Sequence, residues 1–148
     1  MLQKKIMFQL ERELSPFLYN LRSLIMIEGG KKVWYFADGY LPEPKKSGKL
    51  ESHEALMIFN TLNEDVESII DVYFSDRAPI KDIRITVPAE RIISLRLDKP
   101  EDLQGAVIPA QTQYALRITS SHPVVCQFGR LDITQEAMSY YVGVGYAE

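Results

Sequence analysis

From residue 33 to the C-terminus, apolar and polar residues alternate with a period of two. Ile83, Ile85 and Val87 alternate with Arg84 and Thr86. Val66, Ser68, Ile70, Val72 and Phe74 share one face, with Glu67, Ile69, Asp71 and Tyr73 on the other. Tyr114, Leu116 and Ile118 alternate with Ala115, Arg117 and Thr119. This is the pattern of strands with one buried and one wet face. Two runs, 55–59 and 123–128, are apolar on both faces and predict central or interfacial strands. Turn residues punctuate the pattern at Asn63-Glu64-Asp65, Asp76-Arg77-Ala78-Pro79, Pro88-Ala89, Lys99-Pro100-Glu101-Asp102 and Ser121-His122-Pro123. Strands are expected near 33–37, 53–60, 66–74, 82–87, 91–97, 112–120, 123–131 and 140–146. The connections are too short for crossover helices, so the strands should pair antiparallel. The predicted fold is all-β, an antiparallel β-sandwich of two packed sheets.

Residues 1–30 follow a different period. Leu10, Leu14, Phe17, Leu18, Leu21, Leu24 and Ile25 recur at helical spacing. Ser15 before Pro16 reads as an N-cap and first helical position, and Gly29-Gly30 as a stop, which predicts a helix over 16–27. The chain thus divides into an N-terminal helical extension, 1–30, and a sandwich domain, 31–148. The extension reads either as an amphipathic arm that docks on a partner subunit or a membrane surface, or as a helix packed on its own domain. A tail added by an upstream start before Met26 is a third reading.

Composition narrows the class. At 148 residues, with 46% hydrophobic and 25% charged residues, the chain has the make-up of one globular domain rather than a disordered one. Its single cysteine, Cys126, excludes an intramolecular disulfide and lies in an apolar run, where an inert buried thiol suits the reducing cytoplasm. The longest apolar stretch, 14–27, is interrupted by Asn20 and Arg22 and falls short of the roughly 20 residues of a membrane span. Glu11, Arg12 and Glu13 stand where a signal peptide would be apolar. A cytoplasmic location is expected. Residues 1–32 carry six Lys/Arg against three Asp/Glu, whereas 33–148 carry eleven against seventeen. An acidic body repels a phosphate backbone, so nucleic-acid binding is disfavoured. The basic cluster Lys45-Lys46-Ser47-Gly48-Lys49 reads as a solvated loop.

Catalytic chemistry finds little support. The two histidines, His53 and His122, lack the spacing of a β-scaffold metal site, and one cysteine does not build a structural zinc site. Ser52, His53 and Glu54 are consecutive, so on a strand they point to alternate faces and form no triad among themselves. No cofactor, metal site or catalytic residue is expected. What remains is a set of polar and aromatic residues at strand ends: Trp34, Asp38 and Tyr40 on the first strand, Ser52, His53 and Glu54 opening the second, and Gln127, Arg130 and Asp132 closing the seventh. Gathered at one mouth of a sandwich, they would form a ligand site. Trp34 or Tyr40 would stack on an apolar ring face, and Arg130 would offer a planar donor fork held by Asp132 or Glu54. The same residues equally fit a buried polar network that fixes the fold.

Several blocks resemble the sensory rhodopsin transducer family. They are Trp34-Tyr35-Phe36-Ala37-Asp38-Gly39-Tyr40-Leu41-Pro42; Ser52-His53-Glu54 through Ile58-Phe59-Asn60; Tyr73-Phe74-Ser75-Asp76 with Pro79; Thr86-Val87-Pro88-Ala89 with Arg91; and Pro123-Val124-Val125 with Gln127 and Arg130-Leu131-Asp132. The resemblance implies a sandwich built like a carbohydrate-binding jelly roll, assembly as a homotetramer, and no enzymatic activity. It also implies signal relay from a membrane receptor or binding of a small molecule such as a sugar. The first 30 residues have no counterpart in the family's short form.

The expected function is therefore a non-catalytic small-molecule-binding or signal-relay domain that self-associates. The alternatives are a protein-interaction module docking on a membrane receptor, and a DNA-linked transcriptional regulator, which the acidic body counts against. An enzyme comes last.

Overall fold

The computed structural model describes residues 29–148, and the helix expected over 16–27 lies outside the described residues. Among the described residues, ten strands follow in order: β1 (Lys31–Tyr40), β2 (Lys46–Ser47), β3 (Leu50–Glu51), β4 (His53–Phe59), β5 (Val66–Phe74), β6 (Ile80–Val87), β7 (Ile92–Arg96), β8 (Gln113–Asp132), β9 (Ser139–Gly143) and β10 (Tyr146–Ala147). A one-turn 3-10 helix, Pro100–Leu103, sits between β7 and β8. These strands all pair antiparallel.

The first half of β8 pairs with β1 and β5, and its second half with β4 and β9. One layer therefore runs β10-β1-β8-β5-β6 and the other β7-β4-β8-β9, a sandwich-like arrangement in which β8 serves both. The sequence divides this stretch at Ser121-His122-Pro123; the structure instead keeps one strand of 20 residues. Pro123 has no N–H to give to a ladder, and it sits where β8 changes partners. Thr119 pairs with Val33 and Val124 with Lys31 across a register irregularity, so nothing is lost there. The side-chain phase survives the change. Tyr114, Leu116, Ile118, Ser120, Val124, Cys126 and Phe128 are all buried.

Other differences are local. The expected strand 140–146 is split into β9 and β10 around Val144-Gly145. The basic loop 45–49 closes as the small exposed ladder β2–β3, turned by Gly48. The run 55–59 is two-sided in composition but not in burial, because Leu56 and Ile58 are wholly buried while Phe59 is exposed. The core joins these residues to Leu95 on the neighbouring β7 and to Phe36, Ile70, Val72 and Ile83 from the facing layer. Asn60, at the end of β4, is also fully buried. Its amide donates to the carbonyls of Glu64, Val87 and Pro88, and its carbonyl accepts from Leu62 N–H. That spends its hydrogen-bonding capacity on fixing two turns.

Candidate functional site

The alternation of β4 points Glu54 inward beside Leu56 and Ile58, and Glu54 is completely buried. An ionised carboxylate in such a place needs donors and a counter-charge. All are present. One carboxylate oxygen accepts the Tyr40 backbone N–H at 3.0 Å and Arg130 Nε at 2.7 Å; the other accepts the Tyr114 hydroxyl. Arg130 arrives because it is the direct cross-strand partner of Glu54. Tyr114 arrives because Gly39 faces it: a Cβ there would lie 2.4 Å from the ring. Burial, with the nearby Glu54 carboxylate adding to it, pushes the Tyr114 phenol well above its ordinary range, so it stays a donor.

The outer side of Arg130 is half-open. Its Nη2 donates to the Asp38 carbonyl at 3.3 Å and lies 4.0 Å from the exposed Asp38 carboxylate. Its guanidinium carbon stands 5.5 Å from the centre of the Tyr141 ring on β9. The structure thus brings Asp38, Tyr40, Glu54 and Arg130 together and adds Tyr114 and Tyr141.

The remaining candidates lie elsewhere. Ser52 is buried, and its hydroxyl accepts Ile133 N–H at 3.2 Å. Asp132 is taken up locally, with its carboxylate accepting the N–H and hydroxyl of Thr134. Those bonds hold the Asp132 carboxyl below its ordinary range. Of the two carboxylates expected to hold Arg130, Glu54 makes the contact. His53 alternates with Glu54 and bonds the Glu51 carbonyl through Nδ1 at 2.7 Å. Gln127 is exposed on the outer face opposite Met57. Trp34 donates its indole N–H to the Val124 carbonyl at 2.9 Å and stacks on Phe36. Val124 precedes Arg130 by six residues, about 20 Å along the strand, so Trp34 serves the β8 bend and not this cluster.

A second polar cluster carries no motif in the sequence. Asp71 on the outer face of β5 is almost fully buried, and it accepts Asp82 N–H at 3.1 Å and the Arg117 guanidinium. Lys81 lies 3.5 Å from Asp71 and 3.8 Å from the centre of the Tyr73 ring. Burial pushes the Asp71 carboxyl up, but the Asp82 N–H, Arg117 and Lys81 together bring it below its ordinary value. Asp82 takes the left-handed conformation, φ 63°, where β5 and β6 change register; the Asp71 bond pins that irregularity. Period two places Asp71 and Arg117 on wet faces, but only the β5–β8 register makes them partners.

These observations define the class: an all-β domain of antiparallel strands, with a buried carboxylate–arginine junction at one end of its layers. The family model of the Anabaena sensory rhodopsin transducer matches residues 29–147. Among solved structures, the crystal structure of Thermotoga maritima 1070 is 34% identical with a TM-score of 0.72, covering 81% of this chain and 97% of that one. The Anabaena sensory rhodopsin transducer itself is 37% identical with a TM-score of 0.62, covering 72% and 92%. No curated protein matches the chain. The chain belongs to the Anabaena sensory rhodopsin transducer family, as its motif blocks indicated. That family is in general not enzymatic. Among the described residues, no helix is long and apolar enough to cross a membrane.

Proposed function

We propose that this chain is a non-catalytic, cytoplasmic signal-relay domain, a jelly-roll-like sandwich that works as a homotetramer and passes on the state of a membrane receptor. The observation that carries the reading is the C-terminal edge. Over residues 138–146, Met138, Tyr140, Tyr141, Val142, Val144 and Tyr146 are all exposed, Val144 to 93%. Among the described strands β9 and β10 each have one neighbour, so this apolar ribbon forms the open edge of both layers. Edges with contiguous apolar side chains are sites of protein association. Arg130 ties that ribbon, through Tyr141, to the buried Glu54. A partner seated on the ribbon therefore bears on the core.

The test is sedimentation velocity at micromolar concentration. The native chain should sediment as an oligomer, and Tyr140→Glu with Val144→Glu should lower its mass. A native chain that sediments as a single subunit refutes the assembly. Small-molecule binding is the second reading, favoured by the half-open side of Arg130 beside Asp38, Tyr40 and Tyr141. Thermal-shift screening against sugars and metabolites tests it: saturation at 100 times the dissociation constant stabilises by about 2.7 kcal/mol.

A further inference from the structure

At the opposite end of each layer from β10 and β9 stand two further edges. Among the described strands β6 pairs only with β5, and β7 only with β4. In an antiparallel ladder the backbone groups point alternately toward a neighbour and away from it, and a row of outward groups is a template for another strand. Arg84, opposite Ile69, turns its N–H and C=O away from β5; Arg96, opposite Ala55, turns its own away from β4. The segment after β7 fills both positions with its own chain. Asp102, in the 3-10 helix, accepts Arg96 N–H at 2.8 Å, and Lys99 N–H donates to the Arg96 carbonyl at 3.1 Å. Gln104, the next residue after that helix, gives both ends of its amide to Arg84. Its Oε1 accepts the N–H at 3.3 Å and its Nε2 donates to the C=O at 2.5 Å. Two residues earlier on β6, the Asp82 N–H is taken by the Asp71 carboxylate at 3.1 Å.

The Gln104 contact repeats, with one side chain, the pair of bonds that an antiparallel neighbour would make with Arg84. Its backbone is held for this. Leu103 is buried in the core and anchors the turn, and Gly105 N–H closes it on the Pro100 carbonyl at 2.7 Å. Gln104 itself takes the left-handed conformation, φ 53°, uncommon for a residue with a Cβ. Gln104 and Arg84 are both exposed, so water would satisfy the same backbone groups. What water does not do is occupy the place of a strand. We infer that Gln104 is an edge plug, a side-chain stand-in for a neighbouring strand that keeps β6 from pairing with the β6 of a second copy of this chain. The charges on the strand favour that partner. Paired antiparallel about Ile85, two copies would set Arg84 of each beside Thr86 of the other, with the Glu67 carboxylate next in the row. The plug removes this possibility and leaves association to the C-terminal ribbon. That ribbon lies at the other end of the layers, so the inference and the proposed assembly fail separately.

Gln104→Ala in the full chain tests the inference. Sedimentation velocity at rising concentration should show the variant growing heavier than the native chain, whatever mass the native chain has. Hydrogen exchange places the new contact. The Thr86 amide, which faces outward in the native chain, should exchange about tenfold more slowly in the associated variant. Protection at Ile70 and Ile118 should persist, since the substitution falls on an exposed side chain. A second variant, Gln104→Ala with Arg84→Pro, removes the outward N–H and leaves the bonds between β5 and β6 in place, so it should return to the native mass. A Gln104→Ala protein that keeps the native mass at every concentration overturns the inference. Added mass that leaves Thr86 unprotected, or that survives Arg84→Pro, overturns it too, because association then uses another surface. Added mass with the protection at Ile70 lost is unfolding, and it overturns the inference as well.

Discussion

Replacing Arg130 with alanine separates a ligand-holding arginine from one that holds the fold. In the native chain the Glu54 carboxylate is wholly buried and has three donors, of which only Arg130 is charged. Arg130→Ala leaves Tyr40 N–H and the Tyr114 hydroxyl in place but strands the negative charge. Breaking a buried pair in this way costs about 3–5 kcal/mol. The attraction between the guanidinium and the Tyr141 ring, which the substitution also removes, is smaller, about 0.5–1 kcal/mol for an exposed cation above a ring. The stranded carboxylate therefore decides the outcome. With a urea slope of about 2 kcal/mol/M, the unfolding midpoint should fall by roughly 2 M. Circular dichroism in urea reads that shift. A double variant, Glu54→Gln with Arg130→Met, removes both charges while keeping an amide oxygen for the Tyr40 N–H and an amide N–H that the Tyr114 hydroxyl can accept, so it should recover most of the stability. If Arg130→Ala costs less than about 1 kcal/mol, or the double variant is worse than the single one, the carboxylate does not need its arginine and the reasoning fails.

Three further outcomes follow from the geometry. Gly39→Ala should destabilise by about 1–3 kcal/mol, since its Cβ would collide with the Tyr114 ring and push its hydroxyl off Glu54; an unchanged thermal midpoint would count against that packing. Asp71 has a folded-state carboxyl below its unfolded value of about 3.9, so it adds stability that is present above that value and is lost as pH falls through the lower, folded one. Asp71→Asn should therefore be the less stable protein at neutral pH, with the difference narrowing in acid; a difference independent of pH would refute the assignment. Burial pushes the Cys126 thiol up to about 12, so thiol reagents at pH 8 should label it only in denaturant. Rapid labelling of the folded protein would contradict its placement.

The fold was legible where parity alone decides it. Alternation around Ile70, Ile83, Ile118 and Leu116 assigned each side chain to a face, and those residues are buried. It failed where backbone continuity decides. Ser121-His122-Pro123 carries the composition of a turn, but a proline at a change of ladder partners loses no hydrogen bond, so β8 continues through it. Composition reports what a residue tolerates; it does not report whether a partner strand needs its N–H.

The candidate site shows the same division more sharply. Glu54 and Arg130 stood in the sequence as two polar residues in strands 76 positions apart, and their pairing depends on the β4–β8 register. The run that follows Glu54 is apolar on both faces, so parity alone did not choose a face for it; the structure puts it inside, where a charge demands a partner. Asp132 and Arg130 lie two residues apart on one strand, and that closeness made Asp132 a natural choice for the partner. Thr134 takes its carboxylate instead, within the turn that follows β8. Tyr114 and Tyr141, which complete the cluster, carried no local signal, because an aromatic residue in a strand reads as core or surface until its cross-strand neighbour is known. The residues that a sequence can nominate are those whose burial is costly without help. The residues that supply the help are chosen by register, and register is a property of the pair of strands.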